Sequence, residues 1–307
     1  MNWFKVKFRL GSWIASAWQS DTIFGHLCWG MRYIYGEEKL RDFLRLYDEG
    51  APPLLVSNGF PGGFLPQPTT APLVTEKKLP LITQREQFRQ HKEAKGIKWL
   101  TEDEFNHALS GGLVIPSPKS KVKEGKRVTL KNQINRLTCT TDKEHPLYNF
   151  EEYYWPEITI YLKVTDDFTN VAKQLFQYIA DIGYGKRKSI GYGQIESMTF
   201  EPFDGFKQPE KANGFVTLSN FVPSTEDPTE GSWKLIIKYG KMGEEWAAED
   251  GAFKKPLLML EAGSTFYDTT CRDCYGCLVK DLNPHYSRAV QYAFALPVPM
   301  ALPPKTA

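Results

Sequence analysis

Between Ile158 and Phe200 the sequence changes period twice, and nothing else in the chain constrains the fold as tightly. In "ITIYLKV" Ile158, Ile160, Leu162 and Val164 alternate with Thr159, Tyr161 and Lys163, the two-residue period of a strand. After Asp166-Asp167 the spacing lengthens to that of a helix over roughly 169–182, with Val171, Leu175, Ile179 and Ile182 on one stripe. The glycine-rich stretch "DIGYGKRKSIGYGQIE" follows, and a strand resumes at about 192–200. Near the start, "NWFKVKFRL" alternates Phe4, Val6, Phe8 and Leu10 against Lys5, Lys7 and Arg9. Ser20-Asp21 then offers an N-cap for "TIFGHLCWGMRYIYG", where Ile23, Phe24, Leu27, Cys28, Met31 and Ile34 recur at helical spacing and Gly36 closes the helix. Strand–helix followed by strand–helix–strand is the order of a split βαβ, ferredoxin-like unit with a long insertion between its halves.

The expected class is therefore α+β. A first domain spans 1–200, with an insertion over about 50–150 and a glycine-rich loop at 183–193. A boundary falls in 201–212, marked by Pro202, Gly205 and Pro209. A second domain, 201–307, is read from short strands at 214–221, 233–239, 257–261 and 289–296. A chain of 307 residues is long enough to give each its own core. Within the insertion, the Pro- and Gly-rich stretch 50–80 reads as an irregular ordered loop and 85–110 as a polar helix.

The glycine loop is not a nucleotide-phosphate motif. A P-loop needs glycine directly before its Lys-Ser, and here Arg187 precedes Lys188-Ser189. A dinucleotide fingerprint needs a third glycine that Lys186-Arg187-Lys188 does not supply. The loop also follows a helix and precedes a strand, the reverse of both motifs. What remains is a cation-rich bend that a phosphate backbone could approach, or a turn carrying solvated lysines.

The net charge is only +2, so an acidic partner has to be sought in local clusters. One exists: between Pro116 and Arg136, Lys119, Lys121, Lys123, Lys126, Arg127, Lys131 and Arg136 face a single acid, Glu124. Asn132, Gln133, Asn135 and Arg136 add hydrogen-bonding groups suited to RNA. His26 lies one turn into the first helix, as a structural or RNA-contacting group or as a general base. Cys271, Cys274 and Cys277 have metal-like spacing with His285 as the nearest fourth ligand, so a structural zinc competes with free thiols. No other cofactor is expected. Five cysteines, no membrane-length apolar run and no signal peptide after Met1 point to the cytoplasm.

"GYGKRKSIGYGQIE" resembles the glycine-rich loop of the RAMP superfamily of CRISPR-associated proteins, which lies late in a ferredoxin-like (RRM-like) domain. "SDTIFGHLCWGMRYIYG", "NQINRLTCTT", "PLYNFEEYY" and "LEAGSTFYD" are similar to segments of its Cas5-like group, the fourth Csm subunit of type III-A effectors. The resemblance implies two RRM-like RAMP domains and a non-catalytic role. It implies a subunit that caps the 5′ handle of the crRNA and joins a Cas10-like large subunit to a Cas7-like Csm backbone subunit. RNA contacts are then expected at Ser20, His26, Lys131, Asn132, Asn135, Arg136, Thr138, Gly183, Gly185, Lys186, Arg187, Lys188, Ser189, Gly191 and Gly193. Relatives with the same fold cleave repeat RNA, so a metal-independent endoribonuclease using His26 with Tyr184 or Lys186 is the alternative. A further alternative is the equivalent subunit of a Cmr or III-D complex. The cysteine cluster departs from the family pattern.

Overall fold

The computed structural model describes residues 1–70, 85, 89, 96–112, 114, 122, 124–132, 134–141, 147–248 and 251–304. Its first half holds β1 (Asn2–Leu10), α1 (Ser20–Tyr35), α2 (Glu37–Asp48), β2 (Leu54–Pro61), α3 (Glu102–Leu109), β3 (Gly125–Asn132), β4 (Leu147–Tyr154), β5 (Glu157–Val164), α4 (Thr169–Ile182) and β6 (Ile195–Pro202). β6, β1, β5 and β2 lie side by side in that order, all antiparallel. One face of this sheet carries Val6, Phe8 and Leu10 and is covered by α1 and α4, which bury Ile23, Phe24 and Leu27 and Leu175, Phe176 and Ile179. Burial of these apolar rows supplies the main driving force for the layer.

The opposite face is covered too. Lys5 reaches Glu102 of α3 at 2.7 Å and lies 3.8 Å from the Phe203 ring centroid, while Tyr161 packs against Phe203 and Phe206. Consequently Thr159 and Tyr161, read from the alternation as an outer face, are buried.

The second half contains β7 (Gly214–Thr217), β8 (Gly231–Ser232), β9 (Leu235–Lys238), β10 (Leu257–Leu260), β11 (Thr265–Tyr267), β12 (Tyr275–Val279), β13 (Gln291–Ala295) and β14 (Pro297–Met300). They form a four-stranded sheet in the order β8-β11-β7-β14 and two hairpins, β9–β10 and β12–β13. Among its described residues the only helical segment is a 3₁₀ turn, Glu244–Ala248. The main core runs across the expected boundary: the Tyr292 ring stacks on Phe24 at 4.5 Å and the Val56 amide donates to the Tyr292 hydroxyl at 3.1 Å.

Two sequence expectations are corrected. The stretch 50–80 was expected to be loop, yet Leu54–Pro61 is a strand of the first sheet, so the insertion begins beyond it. Its prolines sit at or outside the strand ends, and Gly59 falls at a register shift. Asp21 does not cap α1, whose N-cap is Gln19. It is buried, and its Oδ2 accepts from Lys238 Nζ at 2.8 Å and Gln291 Nε2 at 2.5 Å. These bonds fasten the start of α1 to the second half.

Candidate nucleic-acid interface

α4 ends at Gly183, φ +81, where a left-handed conformation suits a residue without Cβ. From there the loop folds back on itself: the Tyr184 amide donates to Gly193 O at 2.9 Å and the Gly193 amide to Trp13 O at 2.9 Å. The Gly185 amide donates to His26 Nε2 at 3.1 Å, and the Lys186 amide to Ser16 Oγ at 2.9 Å. A Cβ at Gly193 would stand 2.0 Å from Tyr184 O, and one at Gly185 would stand 2.7 Å from Ser16 Cβ. Most of the loop's glycines therefore permit close packing of the protein on itself, whereas Gly191, φ +94, faces open space. The sequence expectation is a bend that a phosphate backbone could approach; the amides of Tyr184, Gly185, Lys186 and Gly193 are instead engaged within the protein.

Segment Ser12–Ser16 joins this loop to the insertion hairpin β3–β4. Ser12 Oγ accepts the Gln194 amide at 2.9 Å, and Ile14 exchanges backbone hydrogen bonds with Tyr153 of β4 at 2.8 and 3.0 Å. On the near face of the hairpin, Lys131 and Arg187 approach the ring of Phe150, at 4.1 and 4.3 Å from its centroid, and Lys186 lies at 5.5 Å. Arg187 also donates to the Tyr148 hydroxyl at 2.6 Å. Loop cations and hairpin cations thus share one aromatic floor.

Their charges are not equally available. Glu152, enclosed by its neighbours, accepts from Arg127, Tyr192, Lys131 (3.3 Å) and Thr129 (3.1 Å). Burial pushes its carboxyl up, but those hydrogen bonds outweigh it and hold the pKa at about 2. Lys188 is paired with Glu244 of the second half at 2.5 Å. Arg127 and Lys131 therefore carry a built-in counter-ion, and Lys126 has Glu151 at 3.5 Å. Of the cations read from Pro116 to Arg136, Lys126, Arg127 and Lys131 are thus offset by Glu151 and Glu152 of the opposing strand. Lys186 remains exposed.

The remaining expected positions divide clearly. Ser189 is exposed beside Lys188. Asn132, Asn135, Arg136 and Thr138 are exposed at the far end of the hairpin, where Asn135 Oδ1 caps the turn by accepting the Leu137 and Thr138 amides at 2.9 and 3.3 Å. Arg136 lies in the turn beyond the end of the β3–β4 ladder, whose last pair is Asn132↔Leu147. Ser20 is a correction: it is fully buried, so no strand can touch its hydroxyl. Lys119, Lys121, Lys123 and Gln133 lie outside the described residues.

His26 is an acceptor, not a donor, toward the loop. Burial, then the charge on Lys188, lowers its pKa to about 3. Tyr184 beside it is buried, its hydroxyl donates to Ala17 O at 2.7 Å, and burial raises its pKa well above the ordinary value.

The metal expectation is also corrected. Among the described residues no three potential ligands converge. Cys271 Sγ points to Gly214 O and Asp268 O, Cys277 Sγ to Val222 O, and Cys274 packs on the main core. Cys271 and Cys274 precede β12, which begins at Tyr275, and only Cys277 lies within it. Burial raises the pKa of all three, which disfavours the thiolate. No described helix is long and apolar enough to cross a membrane.

No protein-family model matches the sequence, and no curated protein matches it. Solved structures match in fold. A chain of the crystal structure described as the Csm1-Csm4 cassette in complex with AMPPNP gives a TM-score of 0.65 at 16% identity, covering 99% of this chain and 100% of that one. The cassette in complex with pppApA gives 0.66 at 16% identity with the same coverage. A chain of the Csm3-Csm4 subcomplex in the type III-A CRISPR-Cas interference complex gives 0.61 at 15% identity, covering 96% and 99%. The chain shares its fold with these proteins along its whole length.

Proposed function

We propose that this chain is the Csm4-type, Cas5-like RAMP subunit of a type III-A CRISPR effector. In this reading it is a non-catalytic, cytoplasmic protein that holds the 5′ handle of the crRNA. It bridges a Cas10-like large subunit to a Cas7-like backbone subunit. The observation that carries the reading is the whole-chain likeness to both assemblies, whose common component by description is Csm4. The first sheet supports it with the strand order of a ferredoxin-like unit; its sheet face is partly covered by α3 and 203–206, which favours RNA contact through loops over stacking on the sheet.

The strand would enter between the glycine loop and the hairpin. Lys186 and Arg187 take phosphates, Tyr148 and the rim of the Phe150 floor offer stacking surface, and Asn132, Asn135, Arg136 and Thr138 reach nucleotides further along. An RNA-cleaving role is disfavoured, because the His26 lone pair is engaged by Gly185 and its pKa of about 3 leaves it a poor base. Co-expression with Cas10-like and Cas7-like type III-A subunits, followed by sequencing of the bound RNA, tests the proposal. Guides sharing one repeat-derived 5′ end support it; an isolated chain that cleaves repeat RNA without metal refutes it.

A further inference from the structure

The β9–β10 hairpin is apolar on both of its faces. Its cross-strand pairs are Leu235↔Leu260, Ile236↔Met259, Ile237↔Leu258 and Lys238↔Leu257. In a hairpin packed on a protein, the apolar row faces inward and the charged row faces water. Here the inward row holds Ile236, the buried Met259 and Lys238, whose ammonium bonds Gln19 Oε1, Thr22 Oγ1 and Asp21 at the start of α1, yet the other row is apolar as well. The outward row is Trp233, Leu235, Ile237 and Tyr239, at 46%, 50%, 54% and 72% exposure, with Leu258 at 54% beside Ile237 and Phe253 beyond it.

A contiguous patch of this kind on a folded chain marks a contact surface. Its centre is aliphatic, which suits a protein partner better than RNA, since Leu and Ile offer no flat face for a base. Aromatic side chains at its ends are the type that anchors interfaces. Segments 231–243 and 251–260 carry Lys234, Lys238, Lys241, Lys254 and Lys255 and no Asp or Glu. Lys234, Lys241 and Lys255 are exposed around the patch.

We infer that the outward face of β9–β10 is a protein-docking surface, whose occupant presents an apolar ridge bordered by carboxylates. Complementary charge at the rim would set orientation and speed encounter, while the Leu235–Ile237–Leu258 centre supplies the burial. Bridging two subunits, as proposed, requires at least one such surface away from the proposed RNA contacts. The inference rests on the proposed function for the identity of the occupant.

The test uses the full-length chain with Cas10-like and Cas7-like type III-A subunits as probes. Hydrogen exchange is read on each pair, and affinity is compared for wild type, Leu235→Glu/Ile237→Glu and Lys241→Glu/Lys255→Glu. The inference predicts protection of 233–239 and 253–258 by one subunit. It also predicts at least a hundredfold affinity loss for the first variant and about tenfold for the second, with the melting temperature of the free chain unchanged. If a subunit binds wild type and the first variant equally, the docking surface is wrong and the proposed function stands. If neither subunit binds wild type, the proposed function falls and takes the occupant with it. A free chain that sediments as a dimer until Leu235→Glu/Ile237→Glu is introduced would assign the patch to a second copy and overturn the inference. Loss of RNA affinity in that variant would overturn it as well.

Discussion

His26 accepts the Gly185 amide at 3.1 Å, so α1 and the glycine loop are joined through an imidazole that must stay neutral. Burial, then Lys188, sets its folded pKa near 3, whereas an unfolded histidine titrates near 6.5. Between these values the unfolded chain binds a proton that the folded chain refuses. The contribution of His26 is therefore complete above pH 6.5 and declines as the pH falls toward 3. His26→Gln keeps an acceptor without a titration. Urea unfolding at a series of pH values should show wild type losing more stability than this variant between pH 6.5 and 5.

Gly193 and Gly191 both hold positive φ, but only Gly193 is hemmed in by backbone. Gly193→Ala should cost roughly 1–3 kcal/mol in denaturant unfolding and weaken RNA binding by displacing Tyr184. Gly191→Ala should cost about 1 kcal/mol and leave binding close to wild type. Equal losses at the two sites would show that backbone strain alone governs the loop.

The cations should rank by their counter-ions. Lys186→Ala and Arg187→Ala should each reduce the salt slope of guide-RNA binding by about 0.7, the value for one phosphate on a single strand. Lys131→Ala should change the slope less, because Glu152 already neutralises it. A salt titration by fluorescence anisotropy separates these, and Arg136→Ala with Lys186→Ala should combine the losses of both contacts.

Glu244 holds Lys188 in an ion pair, which in the proposed reading keeps that lysine from an RNA phosphate. Glu244→Gln should release that lysine, steepening the salt slope by up to about 0.7. The same titration reads it, and a slope that becomes shallower would contradict the proposal that Glu244 withholds Lys188 from RNA.

The sequence was most readable where one period ran undisturbed. The strand at 158–164 and the helix at 169–182 emerge as Glu157–Val164 and Thr169–Ile182 because each had a clean repeat separated by Asp166-Asp167. β2 was missed because a strand buried on both faces shows no alternation, and the neighbouring prolines outweighed "LLVSNGFP". β14 went unread for a related reason: Pro297 and Pro299 are tolerated on an edge strand, where no ladder partner is needed on one side. At the candidate site the loop cations were visible in the linear sequence. The cancellation of Arg127 by Glu152 was not, because it arises from a cross-strand register set by a distant turn. Nor was the part of Ser12 and Ser16, whose hydroxyls act only once the loop folds onto them.

The central claim is tested most directly by ultraviolet cross-linking of guide RNA to the chain, assembled with its Cas10-like and Cas7-like partners, and peptide mapping of the adducts. The account predicts adducts at Tyr148 and within 183–193, formed with the first nucleotides of the guide. Adducts confined to the second half, or to the far end of the guide, would contradict it.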